Sequence, residues 1–202
     1  MASTLFTSSN KTIFDAIART FKLSQLAQDF YTGDSFDLLL VTDNKIECAI
    51  KLTHLIDSKA VFYKRIVVVN PINCPNIDVE LGKIVFAESI TEWDKPLVES
   101  KFYNLTVPEF DTKIISGYGM SGDRVCMNRT TPILQARFID FITFSIAVVS
   151  NTFLKDVELI SMGVVADHCT QNYFKLLQSN DKGLSSRVIE FIQTNLSLLL
   201  GE

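Results

Sequence analysis

Apolar residues along this chain follow two rhythms. Dense short runs occur at Phe36 to Val41, Arg65 to Val69 and Lys83 to Ala87, and again from Val157 to Asp167, where Leu159, Ile160, Met162, Val164 and Val165 are apolar. Each run is strand-sized and framed by Gly, Asn, Asp or Pro, the pattern of a buried strand. Between the runs the spacing changes to three and four. Ile13, Phe14, Ile17, Ala18 and Phe21 predict a helix capped by Ser8, Ser9 or Asn10, after a short strand at 3–7. Ile46, Ala49, Ile50, Thr53 and Ile56 predict a second helix over 44–57. Residues 132–154, opened by Pro132, predict the longest helix. It is apolar almost all round, which points to burial within the domain or in a dimer interface. A helix at 170–179, a break at Gly183 and a helix at 184–200 close the chain. Strands alternating with helices predict an α/β fold with a largely parallel sheet. No repeat or linker divides residues 1–202, so one domain is expected.

Three stretches read as irregular. Pro71 and Pro75, with Asn70, Asn73 and Asn76, predict a loop at 70–76 directly after a strand, and Asn73 in it is a candidate substrate contact. Residues 93–110 carry Pro96 and Pro108. The segment Ser116 to Arg124 has three glycines, but not in the G-x-G-x-x-G order of a dinucleotide loop.

Composition narrows the function classes. With 19 Lys and Arg against 23 Asp and Glu, and a formal charge of −4, there is no basic stripe for nucleic acid. No apolar run approaches the roughly 20 residues that span a bilayer, and the first residues lack the pattern of a secretory signal, so a cytoplasmic protein without membrane contact is expected. Cys48, Cys74, Cys126 and Cys169 are widely separated and the histidines are only His54 and His168. This predicts reduced thiols, no metal site and no cofactor.

One residue stands out chemically. The apolar run from Val157 stops at Asp167, before the polar Thr170-Gln171-Asn172. Ligands of α/β sheets gather outside the carboxyl ends of strands, which makes Asp167 a candidate proton donor. The alternative is a turn or helix-cap aspartate.

With the elements in order, the chain resembles the nucleoside phosphorylase and nucleosidase superfamily over residues 36–170, in particular methylthioadenosine/S-adenosylhomocysteine nucleosidases and futalosine hydrolases. Leu39 to Lys45 is similar to the family's strand and Gly-x-Gly-Lys turn, without the glycines. Ile66 to Asn76 stands where the family has a strand ending in Asn-Thr-Gly-Ser-Ala-Gly-Gly, and Asn70 matches. Leu81-Gly82-Lys83-Ile84-Val85 matches Val-Gly-Asp-Ile-Val. Ser121-Gly122-Asp123 is identical to the family's Ser-Gly-Asp. Ile146-Ala147 and Val165-Ala166-Asp167 fit its Ala-Ile-Ala helix and its Ile-Ser-Asp.

The resemblance implies a single three-layer α/β/α domain with a twisted, mostly parallel mixed sheet. It also implies a hydrolase that cuts the N-ribosidic bond of a 5′-substituted purine nucleoside. Aminodeoxyfutalosine or futalosine of the menaquinone route, or methylthioadenosine, would be the substrate, and adenine the product. Asp167 would give a proton or hydrogen bond to N7 of the leaving base. Val125 and Cys126, after Ser-Gly-Asp, would contact the base, and Phe141 would pack on the ribose. A homodimer is implied too. Three departures accompany these matches. The water-activating Glu falls at Asn10, which could hold water but not act as a base. The ribose-gripping Glu falls near Ile142, with Asp140 close by as a substitute. The Arg before Ile-Ser-Asp falls at Gly163. A relative that binds a nucleoside or a partner without catalysis is the second reading. A phosphorylase ranks last, because the loop at 70–76 has lost its glycines.

Overall fold

The computed structural model describes residues 3–59, 62–93, 101–122, 135–170 and 173–202, with the side chains of residue 59 and of 173–180 left aside. The strands are β1 (Thr4–Ser8), β2 (Ser24–Ala27), β3 (Phe30–Thr32), β4 (Asp37–Leu40), β5 (Arg65–Asn73), β6 (Ile84–Glu92), β7 (Tyr103–Asn104), β8 (Ile115–Ser121), β9 (Phe138–Asp140) and β10 (Glu158–Asp167). The helices are α1 (Lys11–Thr20), α2 (Lys45–Lys59), α3 (Thr143–Phe153), α4 (Tyr173–Thr194) and α5 (Leu196–Leu200).

All ten strands join one mixed sheet whose longest pairings, β5 with β10 and β6 with β8, are parallel. Part of it closes on itself: β5, β10, β6, β8 and β9 form a ring, because β9 returns to pair with β5. From β5 the sheet runs outward through β1, β4, β3 and β2.

The strand at the centre shows why the sheet is buried on both faces. In β5, Ile66, Val68 and Ile72 enter a core with residues of α2 and α3, while Val67 and Val69 enter a second core with residues of α1 and α4. A continuous β-branched run is what a strand covered on both sides needs. Helices α2 and α3 pack together on one face, α1 and α4 on the other. That gives the three layers. Among the described residues, no helix is long and apolar enough to cross a membrane.

Four expectations are corrected. The strand β5 continues through Asn73 instead of ending at Val69. Cys74 N–H donates to Asp167 O, so by alternation Pro71 turns its missing N–H to the opposite flank. There β1 pairs only as far as Val68 and β9 begins only at Asn73, so no ladder bond is lost. The glycine-bearing stretch 116–121 is strand β8, not a loop. Gly119 is needed there, since a Cβ would lie 2.9 Å from Ser89 O across the pairing. The long helix expected at 132–154 is strand β9 followed by the shorter α3; its first residues, to 134, lie outside the described residues. Helix α3 packs its apolar residues against the sheet and α2. Gly183 breaks nothing: α4 runs through it. The cost of about 1 kcal/mol for an interior glycine is one that a packed helix absorbs.

Candidate functional site

The carboxyl ends of the parallel strands β1, β4, β5 and β10 lie at one sheet edge, and each delivers polar residues there. Ser8, Ser9 and Asn10 follow β1, Asp43 follows β4, Asn70 and Asn73 end β5, and Asp167 ends β10. Asp140, at the end of β9, joins them because its neighbour Ile139 pairs with Asn73.

Asp167 is 1% exposed. A bulge at Ala166 sets it opposite Asn73, whereas Val165 pairs with Ile72. Such a bulge turns a side chain without unravelling the strand. Thr170 then holds the carboxylate: its N–H donates to Oδ2 at 2.6 Å and its Oγ1 to Oδ1 at 2.7 Å. The return of Thr170 requires Cys169 to adopt a left-handed conformation, φ 57°, which costs a non-glycine residue about 1 kcal/mol or more. Across the strand, Asn73 is 2% exposed and its Oδ1 has no hydrogen-bond partner.

Beside this pair lies a polar cavity of about 100 Å³, lined by Ser9, Asn10, Lys11, Asp43, Asn70, Pro71, Asp140 and Phe141. Three sequence-predicted residues, Asn10, Asp140 and Phe141, therefore meet in one place. Asp167 and Asn73 share the edge but do not line the cavity. Val125 and Cys126, expected at the base, lie outside the described residues.

Asn10 lines the cavity, and its amide is engaged within the protein. Its Oδ1 accepts from Ile13 N–H as the cap of α1, at 2.8 Å, and its Nδ2 donates to Asp181 on α4, at 3.2 Å. Thr12 Oγ1 also donates to Asp181. Both ends of the Asn10 amide thus fasten α1 to α4.

Asp140 forms the cavity floor, 3% exposed. It accepts from Thr143 N–H at 3.1 and 3.2 Å and from the hydroxyls of Ser121 and Thr143. These bonds hold the first turn of α3, whose Phe144 N–H goes to Ser121 Oγ. The ribose-gripping role expected here competes with this capping role. Burial pushes the Asp140 carboxyl above its ordinary 3.8, with the bonds from Ser121 and Thr143 opposing it and the nearby Asn70 amide adding a little. Asp140→Ala should cost about 2–3 kcal/mol in urea unfolding, because it leaves Thr143 N–H buried without an acceptor. The raised value also sets a sign. The folded state binds the proton more tightly than the unfolded chain, so this contribution is complete below 3.8 and lost as pH rises through the raised value. Unfolding measured from pH 7 to 4 should show stability rising toward acid by more in the wild type than in Asp140→Ala.

Asn70 was matched to the family from sequence, but its role there was not read. It is 2% exposed. Ser9 N–H and Ser9 Oγ both reach its Oδ1, at 2.9 and 3.2 Å. The backbone N–H can only donate, so the oxygen must face Ser9 and Nδ2 must face the cavity. There Nδ2 has no hydrogen-bond partner; it faces Asp140 without completing a bond. Sequence reasoning also passed over Asp43, Ser9 and Lys11. The signal that exposed Asp167, a polar residue where an apolar run ends, applies equally to Asp43 after Phe36–Val41.

No protein-family model matches the sequence, and no curated protein matches it significantly. Solved structures do match. The 5′-methylthioadenosine/S-adenosylhomocysteine nucleosidase of Helicobacter pylori, with butyl-thio-DADMe-Immucillin-A, superposes at a TM-score of 0.80 and 12% identity, over 96% of this chain and 97% of that one. The same enzyme from S. pneumoniae, with the transition-state inhibitor MT-ImmA, gives 0.80 at 10% identity, over 97% and 99%. The futalosine hydrolase of Helicobacter pylori gives 0.78 at 11%, over 94% and 95%. The chain has the nucleoside phosphorylase/nucleosidase fold.

Two positions where the sequence departs from the motifs it resembles, Ile72 and Gly163, pack against each other. A Cβ added to Gly163 would lie 2.2 Å from Ile72 Cγ2 and 2.9 Å from Phe138. The isoleucine, fully buried, fills the space over the glycine. The shared Ser121-Gly122 has a packing reason as well: a Cβ on Gly122 would fall 2.0 Å from the Trp93 indole nitrogen.

Proposed function

We propose that the protein is a purine nucleosidase that hydrolyses the N-ribosidic bond of a 5′-substituted nucleoside. Aminodeoxyfutalosine or futalosine is the leading substrate and methylthioadenosine the next, and adenine is the base released from aminodeoxyfutalosine and methylthioadenosine. The observation that carries this reading is Asp167: a buried carboxylate, re-aimed by a bulge, at the carboxyl edge of a sheet with the nucleosidase fold.

The chemistry follows from the bond. Cleavage leaves positive charge on the ribose and negative charge on the base. A proton delivered at N7 removes the latter and makes adenine a better leaving group. Thr170 suits a group that changes protonation, since its hydroxyl can donate to the carboxylate and accept from the acid. Asn73 Oδ1, unpartnered beside Asp167, is an acceptor for an N–H or O–H of the substrate. In this reading Phe141, which lines the cavity, packs on the sugar, and Val125 and Cys126, which lie outside the described residues, contact the base. No metal or cofactor enters the chemistry. A homodimer belongs to the same proposal, and a monomer by light scattering at micromolar concentration would remove it.

The filled space around Ile72 and the engaged Asn10 favour the second reading, a nucleoside-binding relative without catalysis. Incubating the protein with aminodeoxyfutalosine and with methylthioadenosine, with and without phosphate, separates the readings. Adenine release that ignores phosphate is expected. Release that requires phosphate would indicate a phosphorylase, and binding without release the non-catalytic relative.

A further inference from the structure

The polar cavity contains two carboxylates that differ in how their oxygens are used. Those of Asp140 are engaged by Ser121 and Thr143 and hold the start of α3. Asn10, where the resemblance places the water-activating group, has neither end of its amide free. Asp43 remains. It stands solvent-exposed at the cavity mouth beside Lys11 and is hydrogen-bonded to the side chain of Ser9. Within the same cavity, the buried Asn70 turns its Nδ2 toward Asp140, whose carboxyl it favours, without completing a hydrogen bond of normal geometry.

We infer that Asp43 is the proton acceptor that activates the attacking water, and that Asn70 Nδ2 holds that water's oxygen. The assignment rests on the nucleosidase reading above and supplies the group that the N-terminal sequence lacks. Water between the two accepts from Asn70 and donates to Asp43. As the bond from C1′ to the base nitrogen breaks, its electron pair leaves with the base, which takes a proton from Asp167. The water oxygen bonds to C1′ and its proton passes to Asp43. One water is consumed, a free base and a free sugar are formed, and exchange with solvent resets both acids. The cavity, of about 100 Å³, has room for the attacking water. Asp140 and Asp167 lie on either side of β5. Ile139, beside Asp140, and Asp167 both pair with Asn73, two strand spacings of about 4.8 Å apart.

The electrostatics suit a base. Although the residue is exposed overall, partial removal of its carboxyl from water at the cavity pushes Asp43 above its ordinary 3.8, and the hydrogen bond with Ser9 opposes the shift. The charged groups that line the cavity with it are Lys11 from α1 and Asp140 from β9, and its charge is felt by the Cys48 thiol of α2. Activity should therefore fall as pH drops through the Asp43 value, because the protonated acid cannot accept.

The test compares wild type with Asp43→Asn and Asp43→Ala, using whichever of aminodeoxyfutalosine and methylthioadenosine the wild type cleaves. Both variants should melt like the wild type, since Asp43 is exposed. Asp43→Asn is expected to bind the nucleoside within about threefold in calorimetry, to lose about 10²–10⁴-fold in kcat, and to lose the acidic limb of the pH profile. Added formate should partly restore Asp43→Ala. A kcat for Asp43→Asn within fivefold of wild type, or an unchanged acidic limb, overturns this assignment alone. A folded wild type that releases no base from either nucleoside overturns the nucleosidase reading, and the assignment with it.

Discussion

Replacing Asp167 with asparagine should leave the fold intact and slow adenine release by about 10²–10⁴-fold, the usual worth of a positioned general acid. Asparagine keeps the shape and can still accept from Thr170, whose two bonds anchor the native carboxylate. It cannot deliver a proton. The loss should appear in kcat, with KM changed little, because N7 gains its negative charge only as the bond breaks. A nucleoside whose leaving group needs no proton, such as a nitrophenyl riboside, should be cleaved almost equally by both proteins. That comparison separates an acid from a turn-forming aspartate. A turn residue would depress both substrates alike, and would do so together with thermal stability.

Restoring the family's arginine at position 163 should unfold the protein and not improve it. The space above Gly163 belongs to Ile72, with Phe138 close behind. Even alanine there should cost about 1–3 kcal/mol from overpacking, and arginine, with a buried charge added, more than 3 kcal/mol. The interaction is specific to the pair. In an Ile72→Gly background, Gly163→Ala should cost less, with only Phe138 at 2.9 Å still opposing it, so a double-mutant cycle in urea should return a coupling of about 1–2 kcal/mol. Additive costs would mean that Ile72 and Gly163 are not a matched exchange.

Much of the fold was legible because it rests on burial. The apolar runs at 36–41, 65–69, 83–87 and 157–167 are all strands, and the three- and four-spaced positions before and after Lys45 are all helices. Errors arose where one residue type serves two structures. The apolar stretch from Phe138 suits a helix as well as it suits β9, and only pairing to Asn73 and Gly119 decides. The glycines of β8 look like a loop until β6 is seen pressing against Gly119. The prolines near 71 look like a strand end until the gap between β1 and β9 is known. The hairpin of β2 and β3 was missed because a short, exposed edge has no apolar rhythm.

The site was legible in part, for a similar reason. Asp167 was found because an acid ends an apolar run. Asp43 and Asn70 obey the same rule, but their meeting depends on which strands are neighbours, and β4 and β5 lie on either side of β1. Asn10 shows the reverse. Its position invited a chemical role, while its contacts are those of a helix cap reaching to a residue 171 positions away.

A crystal structure with adenine bound tests the central claim most directly. The account predicts that the purine rests at the carboxyl edge of β10, with an Asp167 carboxyl oxygen within about 3.2 Å of N7 and the cavity of Asn70 and Asp43 on the ribose side. Adenine bound elsewhere, or bound there with Asp167 beyond hydrogen-bond reach of N7, would contradict it.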